Sequence, residues 1–107
     1  MEGLYIDDGF TLTDDLAAIP GLHPAVTTVY RPALPKVRLE WAAKTAARDV
    51  DALEKFEVDL LKKQVRTVNG SEPTVDQIRR MNPVVRDRLV SLVLSYTAAH
   101  EGEPSGA

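Results

Sequence analysis

The first third of the chain contains short clusters of apolar and β-branched residues separated by turn-forming residues. The densest cluster, Val26–Tyr30, is predicted to form a strand because β-branched and aromatic side chains favour that conformation. Strands are also predicted at residues 4–6 and 10–12, since the Asp-Gly pair between them is typical of a tight hairpin. This pattern predicts two or three short antiparallel strands in a hairpin or meander, a sheet small enough to need a helix across one face.

From residue 34 onward the apolar positions follow the period of a helix. Helices are predicted at residues 36–48 and 50–67, and the second carries the clearest apolar stripe, with apolar residues recurring every three or four positions. Ion pairs between residues four apart are expected on its outer side. These pairs are Asp51 with Lys55 and Asp59 with Lys63.

Two more helices are predicted in the last third of the chain. Thr74 and Gln77 have the spacing of a capping box, which predicts a short helix ending near residue 81. Asn82 followed by Pro83 then favours a new helix, predicted to run to about residue 98. Residues 89–96 of that helix are almost entirely apolar, so they carry more apolar surface than one buried stripe requires.

Together these elements predict an α+β fold in a single domain covering residues 1–100. Its extended part, residues 1–33, is expected to hold the small antiparallel sheet. Residues 34–100 are expected to form a bundle of three or four helices. Residues 101–107 are rich in Gly, Pro and Ser and are predicted to be a disordered tail.

Charge and hydropathy narrow the classes of partner. The 107 residues carry a formal net charge of −3, and the isoelectric point is near 5.3. Proteins that bind nucleic acids usually present a basic surface, so no nucleic-acid partner is expected. No apolar run approaches the roughly 20 residues that span a bilayer, and no secretory signal precedes residue 10. The sequence therefore predicts a cytoplasmic protein without a membrane partner.

The residues that could support catalysis are few. The chain has no cysteine, and neither His23 nor His100 has a catalytic partner at motif spacing. The acidic pairs at residues 7–8 and 14–15 could gather a hard cation, but a turn and a strand end account for them first. The sequence therefore predicts a protein that is not an enzyme and needs no cofactor or metal. A small metal-dependent enzyme is kept as an alternative.

Surplus apolar surface points instead to a protein partner. Trp41 lies on an alanine-rich helix, and Trp and Tyr are common anchors of interfaces. The predicted partner-binding residues are Trp41, Leu89, Val93 and Tyr96. Two alternatives remain: the last helix could lie wholly in the core, or the surface could mediate self-association. The basic residues Arg79, Arg80, Arg86 and Arg88 are expected to form a solvated face near Asp76 and Asp87.

Three stretches of the sequence resemble the tail assembly chaperones of tailed phages and prophages. They are Asp-Gly-Phe-Thr-Leu at residues 8–12, Pro-Gly-Leu-His-Pro at 20–24 and Val-Tyr-Arg-Pro-Ala-Leu at 29–34. The resemblance implies a non-enzymatic role in virion morphogenesis. Such a protein coats the long helical tape measure protein and helps to recruit tail-tube subunits. A structural minor tail or connector component is the second hypothesis.

Overall fold

The computed structural model describes residues 11–94, in which two strands are followed by two helices, a third strand and two further helices. Within these residues a three-stranded antiparallel sheet packs with four helices, so the predicted α+β class is confirmed. The elements are β1 (Leu12–Leu16), β2 (Val26–Tyr30), α1 (Pro35–Ala47), α2 (Val50–Gln64), β3 (Val65–Val68), α3 (Val75–Arg79) and α4 (Pro83–Leu94).

The sheet has the order β1-β2-β3, with β2 in the centre. The strand predicted at Val26–Tyr30 is confirmed, and its alternate residues Val26, Thr28 and Tyr30 point into the core. Strand β1 runs later than the predicted strand at residues 10–12, because the β1–β2 register begins at Leu12 opposite Tyr30. The predicted strand at residues 4–6 lies outside the described residues.

The prediction of one continuous helix over residues 50–67 is wrong at its end. Helix α2 stops at Gln64, and Val65–Val68 pairs with β2 as a third strand. The sequence Val-Arg-Thr-Val is rich in β-branched residues, with Val65 buried and Arg66 exposed, so it suits an edge strand once a partner strand is beside it. The sheet is therefore not confined to residues 1–33.

The turn after β3 holds the end of this strand against the start of β2 through the Asn69 side chain. Asn69 and Gly70 both have positive φ angles, of 50° and 86°, which Asn and Gly tolerate better than other residues. The Asn69 side chain accepts a hydrogen bond from the backbone N–H of Thr27 at 2.7 Å and donates one to the carbonyl of Ala25 at 3.2 Å. In the structure this turn follows strand β3 and not the end of the helix predicted over residues 50–67.

Local capping signals place α3 and α4 as predicted. In the capping box, the Thr74 hydroxyl accepts from the Gln77 N–H at 3.1 Å, and the Gln77 side chain accepts from the Thr74 N–H at 3.0 Å. Asn82 accepts from the Val84 N–H at 2.9 Å and donates from its amide to the Leu22 carbonyl at 2.7 Å. The start of α4 thereby holds the β1–β2 connection; residues 95–98 lie outside the described residues.

The core lies between the inner face of the sheet and helices α2, α3 and α4. Its most buried side chains include Val58, Leu61, Ile78, Leu89 and Val93. Leu89 and Val93 are only 1% and 0% exposed, because α2, α1 and β2 all pack against α4. Much of the apolar surface of α4 is therefore buried in the core of the chain itself.

Replacing Leu89 with alanine tests this assignment. We expect Leu89→Ala to lower the free energy of unfolding by about 2–5 kcal/mol, because a buried leucine leaves a cavity in a close-packed core. Leu39→Ala, at a position that is 70% exposed, should change it by less than about 0.5 kcal/mol. Urea denaturation followed by circular dichroism measures both values. Equal stability of the two variants would contradict the core assignment of Leu89.

A candidate binding groove beside helix α1

Helix α1 is the least buried of the four helices in residues 11–94. None of its residues is buried, and Leu39 is among the most exposed large apolar side chains in this part of the chain. The helix contacts the core through the partly buried side chains of Val37 and Trp41. Because none of its side chains is buried, part of the surface of α1 stays open.

An open groove lies between the start of α1, the C-terminal half of α2 and the segment 31–34 that connects β2 to α1. Its volume is about 510 Å³. The apolar residues that line it are Pro32, Ala33, Leu34, Val37, Phe56 and Leu60, and the polar ones are Arg31, Lys36, Glu40, Asp59, Lys63 and Gln64. Apolar walls with charged residues among them are typical of sites that take an apolar group of restricted orientation.

Leu34 occupies an unusual position in this groove. It is the N-cap residue of α1, and its side chain makes no capping hydrogen bond. Ser, Thr, Asp and Asn are strongly preferred at N-caps because their side chains bind a free backbone N–H of the first turn. Leu34 instead lines the groove with 45% of its surface exposed. A residue that stabilises its helix poorly and exposes an apolar side chain to a concavity favours a binding role.

The charges of the groove are partly uncompensated. Among residues 11–94, Lys36 and Lys63 form no ion pair, whereas Asp59 pairs with Lys55 at 3.3 Å. The predicted pairs Asp51–Lys55 and Asp59–Lys63 are therefore wrong, because Lys55 reaches the carboxylate one turn further along α2. The ammonium groups of Lys36 and Lys63 and the carboxylate of Glu40, which likewise forms no ion pair among residues 11–94, are left available to a charged ligand.

Trp41 lies outside the lining of the groove and links three helices. Its indole Nε1–H donates to the Glu57 carboxylate at 2.8 Å. The other carboxylate oxygen of Glu57 lies 3.5 Å from the Arg86 guanidinium. The same guanidinium forms a bidentate ion pair with the Glu54 carboxylate, with distances of 2.7 and 3.2 Å. The indole is partly buried by these contacts. A partner-binding role for Trp41 stays a prediction.

The other predicted partner-binding residues are not assembled into a surface. Leu89 and Val93 point into the core, so their side chains are not accessible in the folded monomer. Tyr96 lies outside the described residues. Sequence analysis missed the groove residues Leu34, Phe56 and Leu60. The one local signal was a leucine directly before the Pro35 that begins α1, where a capping residue would be usual.

Three of the four basic residues predicted to form a solvated face, Arg80, Arg86 and Arg88, form ion pairs with other described residues. Arg80 binds Asp76 at 2.8 Å, as expected for a solvated face. Arg88, however, reaches across to Asp14 in β1 with contacts of 2.6 and 3.2 Å, and this hydrogen bonding raises the pKa of its guanidinium. Arg86 likewise pairs with α2, so these two residues tie elements together and form no free basic patch.

The acidic pair and the histidine of this region are also engaged. Asp14 and Asp15 lie on opposite faces of β1, within the strand and not at its end. Asp14 pairs with Arg88, and the Asp15 carboxylate accepts a hydrogen bond from the Thr27 hydroxyl at 2.9 Å. His23 is buried, and its Nδ1–H donates to the Pro24 carbonyl at 2.8 Å. Residues 11–94 contain no group of three or more metal-ligating side chains. Asp7, Asp8 and His100 lie outside that range.

Comparison with known proteins adds no relative to this picture. No protein-family model, no curated protein and no solved structure matches the chain. Within the described part of the chain, no helix has both the length and the apolar character needed to cross a membrane. The function proposed below is therefore based on the groove and the residues that line it.

The Glu54–Arg86 pair predicts an acid-sensitive component of stability. Hydrogen bonding to Arg86 lowers the pKa of Glu54 below its usual 4.5, so the pair stabilises the fold above that pH and is lost as the pH falls through the lowered value. Because the Glu54 side chain is 46% exposed, the effect should be at most about 1 kcal/mol. Chemical denaturation at pH values below 5 should therefore show a smaller loss of stability in Glu54→Gln than in the parent. An equal loss of stability with falling pH in Glu54→Gln and in the parent would contradict this prediction.

The indole contact predicts a coupling between α1 and α2. We expect Trp41→Phe to destabilise the fold by about 1.5–3 kcal/mol, because a phenyl ring cannot donate a hydrogen bond to the charged Glu57 carboxylate. The same change made in a Glu57→Gln background should cost measurably less, and thermal and urea denaturation of the four proteins give this coupling energy. Strictly additive effects would show that the hydrogen bond does not contribute.

Proposed function

We propose that this chain is a non-enzymatic protein-binding module whose groove beside α1 receives apolar side chains from a helical segment of a partner. The observation that carries the proposal is the open apolar groove with the uncapped, exposed Leu34 in its wall. Helix-in-groove recognition uses such a concavity to take side chains spaced three or four residues apart on one face of the partner helix.

The dimensions and chemistry of the groove support this class of partner. A volume of about 510 Å³ can hold one or two large apolar side chains but not a folded domain. Covering the exposed part of Leu34 together with the walls formed by Val37, Phe56 and Leu60 would remove apolar surface from water, at about 25 cal/mol for each Å². Charged residues such as Lys36 and Glu40 then supply orientation.

A narrower form of the proposal follows from the resemblance noted above. The chain would act in the host cytoplasm as a tail assembly chaperone that keeps a helical tape measure protein in solution and recruits tail-tube subunits. A tape measure protein offers many helical segments, which suits a groove that reads only a few apolar side chains. A structural minor tail or connector component is the alternative, and it differs in being retained in purified virions.

Two leucine variants separate binding from folding. Leu34→Asp places a charge in the groove, whereas Leu39→Asp places the same charge on the exposed face of α1 outside it. We expect Leu34→Asp to reduce retention of the partner at least about tenfold, the usual result of losing a central anchor worth 2 kcal/mol or more. Leu39→Asp should bind as the parent does. The measurement is co-purification after co-expression with a candidate tape measure protein.

Stability provides the control for this comparison. Aspartate at an N-cap accepts a hydrogen bond from the first turn, so Leu34→Asp should remain as stable as the parent or gain up to about 1 kcal/mol. A loss of binding in a protein that melts no earlier cannot be ascribed to unfolding. Equal partner retention by the two variants, or an equal loss in both, would rule out the groove as the binding site.

A further inference from the structure

We propose that helix α1 separates from α2 as one unit while the rest of the fold stays intact, so that α1 is a movable wall of the groove. The opening is a property of this chain alone. Only its consequence for partner binding rests on the proposed function.

A single stripe of side chains attaches α1 to the rest of the described chain. Val37, Trp41 and Lys44 are half-buried, and every other residue of the helix is exposed. The three residues are spaced by four and three positions, so they lie on one side of the helix. By comparison, α2 has three buried residues and α4 has five. Because burial of apolar surface is the main source of tertiary stability, α1 opens at a lower free energy than α2 or α4.

Two of the three residues in this stripe make polar contacts. The Trp41 indole donates a hydrogen bond to the Glu57 carboxylate at 2.8 Å, and the Lys44 ammonium lies 5.6 Å from the centre of the Phe56 ring. Only Val37 joins the core through apolar contact alone. Water replaces hydrogen-bond partners when the helix separates, so losing these contacts costs less than exposing a buried aliphatic side chain.

The two ends of α1 do little to hold the helix in place. At its start, Leu34 makes no capping hydrogen bond with its side chain. At its end, Arg48 has φ and ψ angles of 58° and 28°, a left-handed conformation that costs free energy in a residue with a β-carbon. Separation of α1 releases Arg48 from this conformation, which offsets part of the cost of opening.

The segments on both sides of α1 are fixed independently of it. Before the helix, the Ala33 N–H donates to the Val93 carbonyl of α4 at 3.0 Å. After the helix, the Asp49 side chain accepts from the Ala52 N–H at 3.1 Å and caps α2. The movable region is therefore confined to residues 34–48, and its opening does not require α2 or α4 to unfold.

Opening of α1 would widen the groove. On one side the groove is lined by Lys36, Val37 and Glu40 of α1, and on the other side by Phe56 and Leu60 of α2. The closed groove holds about 510 Å³, enough for side chains, whereas an α-helix is about 10–12 Å across. Separation of the two walls lets a partner helix enter with its backbone. The apparent affinity for that helix is then reduced by the fraction of molecules that are open.

Amide hydrogen exchange of the full chain, measured residue by residue by NMR, tests the proposal. After correction for unfolded-chain rates, we expect amides in the middle of α1 to exchange at least about a hundredfold faster than those in the middle of α4. The α1 amides should also share one dependence on urea concentration, weaker than that of α4, because opening one helix exposes less surface than global unfolding. Exchange in α1 that does not depend on urea, or that matches α4, would overturn the proposal.

A mild core variant separates the opening of α1 from unfolding of the whole chain. Ile78 in α3 is only 1% exposed, and Ile78→Val should speed exchange in α4 roughly two- to tenfold. Exchange in α1 should not change, because residue 78 stays packed whether α1 is closed or open. Equal acceleration of both helices by Ile78→Val would show that α1 opens only when the entire fold unfolds.

Trp41→Phe is the matched variant in the contact that opening breaks. The lost hydrogen bond belongs to the closed form only, so exchange in α1 and in α4 should accelerate by the same factor, roughly tenfold or more. Unchanged exchange in α1 would show that this contact survives the opening and would contradict the proposal.

These measurements contain no partner protein, so they are independent of the proposed function. A chain whose α1 opens in this way but which does not retain a candidate tape measure protein would support this inference and contradict the proposed function. Retention of that protein by a chain whose α1 opens only on global unfolding would support the proposed function and overturn this inference.

Discussion

The junction between α2 and β3 is the constraint on which the rest of the structure depends. At Gln64 the helix stops, and its backbone carbonyl accepts a hydrogen bond from the Arg31 N–H at 2.8 Å. The Gln64 side-chain amide donates to the carbonyls of Arg31 and Pro32 at 2.9 and 3.2 Å. These bonds join the end of α2 to the end of β2, align β3 with the sheet, and lay the segment 31–34 along α2. The groove exists because that segment forms its wall.

Ion pairs engage some of the charged side chains at the surface, and other charged side chains are left without a partner among the described residues. Arg86 and Arg88 leave α4 in different directions, one towards Glu54 and Glu57 on α2 and the other towards Asp14 on β1. Such partly exposed pairs are individually weak, but each one orients a pair of elements. The lysines of the groove are left out of this pairing. Two of the basic residues that are clustered in the sequence, Arg86 and Arg88, therefore connect elements of the fold.

Local signals predicted much of the fold, and long-range contacts account for the errors. The strand at Val26–Tyr30, the capping box at Thr74 and the helix start at Pro83 each depend on residues within a few positions, and all are present. Strand β3 was missed because Val65–Val68 continues an apolar helical period, and only pairing with β2 selects the extended form. Leu89 and Val93 were assigned to a partner surface because periodicity does not count the neighbours of a helix.

The sequence by itself determined the α+β class and the starts of the four helices, since these depend on local conformational preference and period. Only the tertiary structure decided which apolar side chains stay open. It enclosed Leu89 and Val93 between α2, α1 and β2, and it left Leu34 exposed at the start of a helix in which no residue is buried. The physical reason is that the accessibility of a residue is set by the elements packed around it, and these can come from any part of the chain.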